Sequence, residues 1–186
     1  FAERFAAATA KLKVGPGTAK DVYIGPLIDE LNDRGLRVQI ETAGTIWPQG
    51  LTTAVFTGWP HARPHNTIVC SPKTQRVHPL VQLVCRDWKY VIGREVDSDD
   101  GLPLLSTQHE GKPLRIFRPV RRDGDTIWLQ PREDYVPFEK PGINPGAPAM
   151  VPDKIGSLQN AQHAARIAME HGYRLTLQTH KLLGLP

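Results

Sequence analysis

Helical and strand-like hydrophobic patterns alternate along this sequence, and the alternation limits the folds that the chain can adopt. Ile24–Arg34 places its apolar residues at helical spacing, and Gly35 follows as a C-terminal stop signal. Leu36–Glu41 then changes to a period of two residues, which is typical of a strand. This order predicts a helix that passes into a strand through a tight turn.

The same alternation continues toward the C-terminus. β-branched and aromatic runs predict further strands, and helical spacing predicts further helices between them. The predicted strands are Thr67–Cys70, Trp88–Ile92, Ile127–Gln130 and Arg174–Leu177, and the predicted helices are Pro79–Cys85 and Leu158–His171. Strands that alternate with helices in this way predict an α/β fold with parallel strands.

The helix Leu158–His171 has the clearest pattern of all. Ser157 is a candidate N-cap residue, and Gly172 is a candidate C-terminal stop. We expect its buried face to consist of apolar residues at helical spacing, namely Leu158, Ala161, Ala165 and Ala168.

Residues 137–152 form a segment rich in proline and glycine, with five prolines. Proline disrupts both helices and interior strands, so this segment is predicted to be an extended surface loop. Two alternatives remain open for it, a connection without function and a loop that covers a site.

Polar residues follow the predicted strands at the points where they end. In a parallel sheet the carboxyl ends of the strands share one edge, where ligands bind. Glu41, Thr42, Ser71, Lys73 and Gln130 would meet there, together with residues 178–181. Donors, acceptors and charges of this kind suit a polar, nucleotide-like ligand. Each group also has a structural alternative: Glu41 could pair with a neighbouring lysine or arginine, and the other groups could be solvated turns.

Five motifs fall at or near these strand ends in a fixed order. They are ETAGT (41–45), CSPK (70–73), WKYVI (88–92), LQP (129–131) and RLTLQTHKLLGLP (174–186). In this order they resemble the C-terminal two-thirds of the 7-carboxy-7-deazaguanine synthases, radical S-adenosylmethionine enzymes of queuosine and 7-deazapurine biosynthesis. The resemblance runs from about residue 24 to residue 186 and is poor across 94–126 and 135–153.

The resemblance implies a fold, a reaction and cofactors. The expected fold is a single domain over 1–186, a partial, incomplete (β/α)6 barrel of the radical S-adenosylmethionine type. The family is a carbon-nitrogen lyase that contracts the ring of 6-carboxy-5,6,7,8-tetrahydropterin to give 7-carboxy-7-deazaguanine. Its cofactors are S-adenosylmethionine, a 4Fe–4S cluster and Mg²⁺, and the cofactors supply the radical chemistry.

The resemblance also implies roles for individual residues. His180 and the terminal carboxylate of Pro186 match groups that contact the substrate. The residues implied for S-adenosylmethionine are Ser71, Pro72, Lys73, Gln130 and Pro131, with Glu41 and Thr42 beside them.

The chain departs from the family pattern toward its N-terminus. A cluster of this type is held by cysteine thiolates, and the chain has only Cys70 and Cys85, with no CxxxCxxC motif. Residues 15–19 stand where the family has Gly-Gly-Glu-Pro, and the carboxylate is missing. Three explanations remain: a truncated synthase, which a start at Phe1 favours, a degenerate homologue that binds S-adenosylmethionine or a pterin without radical chemistry, and an unrelated α/β protein.

Other functions have weaker support in the sequence. No apolar run is long enough for a membrane helix, so we expect a cytoplasmic protein with a small-molecule substrate. A homodimer is the assembly that we expect if apolar sheet edges are left open. The net charge is only +4, and nucleic-acid binding would rest on Arg115, Arg118, Arg121 and Arg122 alone. No metal-ligand spacing links His61, His65, His78 and His109, and Cys70 is expected to be a buried apolar residue rather than a nucleophile.

Overall fold

The structure is a computed structural model that describes residues 31–49, 51–57, 66–96, 98–106, 114–138 and 149–178. Its helices and strands alternate in the first half of the described chain, as the hydrophobic patterns predict, whereas four strands follow one another before the last helix. They are β1 (Gln39–Thr42), α1 (Ala54–Thr57), β2 (Thr67–Cys70), α2 (Pro79–Val84), β3 (Asp87–Ile92), β4 (Thr126–Pro131), β5 (Asp134–Phe138), β6 (Ala149–Asp153), α3 (Lys154–His171) and β7 (Arg174–Leu175).

Five strands form one parallel sheet in the order β1-β2-β3-β4-β7. Helix α2 connects β2 to β3, and α3 precedes β7, so helices link parallel neighbours as in other α/β proteins. The predicted α/β class and the parallel sheet are therefore confirmed. Over the described part of the chain the sheet is open, with β1 and β7 at its edges.

The two faces of the sheet differ in chemistry because side chains alternate along each strand. One face carries the hydrophobic core, to which β3 and β4 contribute Trp88, Tyr90, Ile92, Ile127 and Leu129. Ala164, Ile167 and Ala168 of α3 pack into this same core. The opposite face carries Lys89, Val91, Trp128 and Gln130, and this second, more polar face leads to the candidate site.

Helix α3 begins earlier and buries a different face from the predicted one. Asp153, not Ser157, is the N-cap residue, and its side chain accepts hydrogen bonds from the amides of Ile155 and Gly156. Ser157 lies inside the helix and accepts a hydrogen bond from the Asp134 amide instead. The predicted end at Gly172 is confirmed, with a φ of 67°.

The buried face of α3 is Gly156, Asn160, Ala164, Ile167 and Ala168. Of the four residues expected on that face, only Ala168 is buried, and Leu158 is 59% exposed. The prediction was wrong because it counted apolar residues alone. Asn160 is fully buried, the small residue Ala164 packs into the core, and a Cβ atom at Gly156 would lie 3.0 Å from the Asp134 carboxylate of β5.

The ends of the proline-rich segment are not a loop. Strands β5 and β6 form a separate antiparallel ribbon, in which Pro137 pairs with Met150 and Tyr135 with Pro152. Proline is tolerated here because the ribbon has two strands and is largely exposed. Residues 139–148 lie outside the described part of the chain.

Several predicted boundaries also shift. Strand β1 starts at Gln39 and not at the predicted Leu36, which is 41% exposed. Gly35, with a φ of 75°, ends the preceding helical turn as predicted, and the amide of Leu36 donates to the carbonyl of Leu31. Strand β7 ends at Leu175, two residues before the predicted Leu177.

Candidate functional site

A pocket of about 370 Å³ lies where the parallel strands end. Its size is within the range of small-molecule sites. All four predicted strand ends contribute to it, through Glu41, Ser71, Gln130 and Gln178. The full set of described lining residues is Glu41, Thr42, Ala43, Ser71, Lys73, Lys89, Val91, Gln130 and Gln178.

The turn after β1 positions the first wall of the pocket. The Thr42 hydroxyl accepts a hydrogen bond from the Gly44 amide at 3.0 Å, and the Thr42 carbonyl accepts one from the Ser71 amide at 2.8 Å. Gly44 has a φ of 75°, a conformation that favours glycine. A Cβ atom there would lie 2.6 Å from the Cys70 sulfur, so the turn packs directly on the end of β2.

Ser71 and Lys73 form the second wall. Ser71 is 5% exposed, and its hydroxyl accepts a hydrogen bond from Lys73 Nζ at 3.2 Å. Partial burial lowers the pKa of Lys73, because desolvation disfavours the charged amine. The turn thus holds an ammonium group and a hydroxyl side by side at the pocket.

Glu41 lines the pocket and is paired with Lys89. The structural alternative for Glu41, a pair with a nearby lysine, is therefore confirmed, and it coexists with a position in the site. Lys89 is a lining residue that was not predicted. The signal was present, since Lys89 and Val91 alternate with the buried Trp88, Tyr90 and Ile92 and must point to the other face.

Gln130 lies beside Val91, its partner in the register of β3 and β4. Pro72 and Pro131, which were predicted to contact S-adenosylmethionine, are not among the described residues that line the pocket. Pro72 is buried, and Pro131 is the last residue of β4, in register with Ile92. The predicted substrate residues His180 and Pro186 lie outside the described residues.

Below the pocket, the same face of the sheet is also polar. Trp128 donates a hydrogen bond from its indole nitrogen to Asp87 at 2.9 Å. The guanidinium carbon of Arg174 lies 5.2 Å from the centre of the Trp128 ring, a cation-π contact. A face built from such groups suits a polar ligand better than a second hydrophobic layer.

The two cysteines are both fully buried, on the core side of the sheet. The contact with Cys85, together with burial, raises the pKa of the Cys70 thiol, so Cys70 stays protonated. Its prediction as a buried apolar residue is confirmed. These thiols do not fit a 4Fe–4S cluster, which would need more thiolate ligands than two and ligands that are accessible to it.

Other polar groups are used within the fold. Arg118 pairs with Asp100, Arg122 pairs with Asp125, and Arg121 lies over the Tyr173 ring. His78 caps α2 by accepting a hydrogen bond from the Leu80 amide.

No group of three or more potential metal ligands occurs within the described ranges. Among the described helices, none is long and hydrophobic enough to cross a bilayer.

Comparison with known proteins confirms the resemblance found in the sequence. The chain is 42% identical over 166 residues to the 7-carboxy-7-deazaguanine synthase of Rhodospirillum rubrum. This alignment covers 86% of the chain and 58% of the relative, so the chain spans less than two thirds of the length of that enzyme. No protein-family model and no solved structure matches the chain.

Proposed function

We propose that this chain forms the ligand-binding side of an enzyme similar to 7-carboxy-7-deazaguanine synthase, a radical S-adenosylmethionine lyase. In this proposal S-adenosylmethionine lies in the pocket at the strand ends, against Ser71, Lys73 and Gln130. His180 and Pro186 contact 6-carboxy-5,6,7,8-tetrahydropterin, the substrate that the resemblance implies. The observation that carries the proposal is the convergence of Glu41, Ser71 and Gln130, which are distant in sequence, on one pocket.

The chemistry of the pocket supports a ligand of this class. The ammonium group of Lys73 suits a carboxylate, and the hydroxyls of Thr42 and Ser71 and the amide of Gln130 suit ribose and amino groups. The alternating helices and parallel strands are also compatible with part of a (β/α)6 barrel. We extend the proposal to that architecture, with the polar sheet face toward its interior.

No residue of this chain is assigned to an iron-sulfur cluster. Cys70 and Cys85 are both buried and are too few to ligate one. The residues of this chain instead bind and orient ligands and exclude water from them. Homodimer formation stays a prediction.

Binding of S-adenosylmethionine tests the proposal directly. In titration calorimetry on the folded 186-residue chain, we expect S-adenosylmethionine to bind and Lys73→Met to weaken its affinity about tenfold, the equivalent of a lost charge-assisted hydrogen bond. Lys154→Met is the matched control, since Lys154 is exposed at the start of α3 and should leave the affinity unchanged. Absence of binding by the folded wild-type chain would overturn the proposal.

A second measurement concerns the cluster. Anaerobic treatment of the chain with iron and sulfide should leave no stable cluster in its ultraviolet-visible spectrum, because both thiols are buried. A cluster assembled on this chain, with 5′-deoxyadenosine formed from S-adenosylmethionine, would contradict that expectation. Formation of a cluster and of 5′-deoxyadenosine would also overturn the alternative function, a homologue that binds S-adenosylmethionine or a pterin without radical chemistry.

A further inference from the structure

Lys89 has an unusual position for a lysine. It lies in the middle of β3, and its side chain is only 15% exposed. Because β2 lies between β3 and β1, the side chain must cross β2 to reach the Glu41 carboxylate. Burial lowers the pKa of Lys89, because desolvation disfavours the charged amine. Among the described residues, Glu41 is the carboxylate that pairs with Lys89, and Glu41 lines the pocket.

The pair determines the charge that a ligand meets. Among the described residues that line the pocket, two are lysines and one is a glutamate, which gives a formal charge of +1. Lys89 neutralises Glu41 in this arrangement. Within a pocket that is partly shielded from water, a change of one charge alters the binding energy of a charged ligand more than it would at an open surface.

We propose that Lys89 is a specificity-determining residue that sets how strongly the pocket discriminates between cationic and neutral ligands. The inference rests on the proposed function, in which S-adenosylmethionine binds here. S-adenosylhomocysteine differs from it by one methyl group and the positive charge on sulfur. The two ligands share every other group, so the ratio of their affinities isolates the charge of the pocket.

The geometry predicts whether each substitution strengthens or weakens the attraction of the pocket for the positively charged sulfonium. Lys89→Met removes a positive charge and leaves Glu41 as an uncompensated carboxylate, so the pocket attracts the sulfonium more strongly. Glu41→Gln does the reverse, because it leaves the Lys89 ammonium without its carboxylate. The double variant removes both charges, so the pair is again neutral. Lys89→Arg keeps the positive charge, so the pair stays neutral in that variant too.

The test is calorimetry with both ligands on the wild-type chain and these four variants. We expect the affinity ratio of S-adenosylmethionine to S-adenosylhomocysteine to rise about fivefold in Lys89→Met and to fall about fivefold in Glu41→Gln. The double variant and Lys89→Arg should lie near the wild-type ratio. A purely structural role of the pair would weaken both ligands equally and leave the ratio unchanged.

Two negative results have different meanings. If both ligands bind the wild-type chain and the ratio is the same in all variants, the inference about Lys89 is overturned and the proposed function stands. If neither ligand binds the folded wild-type chain, the proposed function is overturned, and the inference is overturned with it. Circular dichroism of each variant establishes that the protein is folded.

Discussion

Replacement of Asn160 by alanine should lower the free energy of unfolding by about 2–4 kcal/mol. Asn160 is fully buried in α3, where its Oδ1 accepts a hydrogen bond from the Arg94 amide and its Nδ2 donates one to the Arg132 carbonyl, each at 2.9 Å. The substitution leaves an amide and a carbonyl without partners. Urea unfolding followed by circular dichroism measures the loss.

The matched control is Gln162→Ala, at an exposed position of the same helix. It should change the free energy of unfolding by less than about 0.5 kcal/mol. An equal effect of the two substitutions would show that helix propensity, and not the buried amide, accounts for the loss. Asn160 also affects the site, because Arg94 and Arg132 follow the ends of β3 and β4, which carry Val91 and Gln130 to the pocket.

The sequence was sufficient to predict the order of the five strands of the parallel sheet and of helices α2 and α3, because period and turn residues are local signals. Thr67–Cys70 is a strand with the predicted bounds, and Gly35 and Gly172 end their helices with positive φ angles. The same signals predicted that Glu41, Ser71, Lys73 and Gln130 would come together. That prediction needed only the parallel sheet, since all parallel strands end at one edge.

The sequence was insufficient where tertiary contacts decide the outcome. The buried face of α3 depends on Asn160, which is stable in the core only because backbone groups far away in sequence pair with it. The pair of Glu41 and Lys89 spans three strands, and no local pattern predicts which lysine reaches a given carboxylate. The β5-β6 ribbon likewise depends on pairing between two segments that each contain proline.

Gly44→Ala should destabilise the protein more than Gly35→Ala, although both glycines have a φ of 75°. The left-handed conformation alone costs an alanine about 1–2 kcal/mol, and nothing lies within 4 Å of a Cβ at Gly35. At Gly44 the new Cβ would also lie 2.6 Å from the Cys70 sulfur. Such overpacking adds about 1–3 kcal/mol, so we expect a total of about 2–5 kcal/mol for Gly44→Ala in urea unfolding.

A double-mutant cycle separates the two contributions. Cys70→Ala removes the sulfur, and in the Gly44→Ala background it should restore part of the lost stability, whereas it should restore none in Gly35→Ala. Equal losses in Gly44→Ala and Gly35→Ala would refute the close packing of the turn on β2. The same cycle reports on the site, because this turn carries Thr42 and Ala43. Gly44→Ala should therefore weaken the binding of S-adenosylmethionine, and Gly35→Ala, whose position is outside the pocket lining, should not.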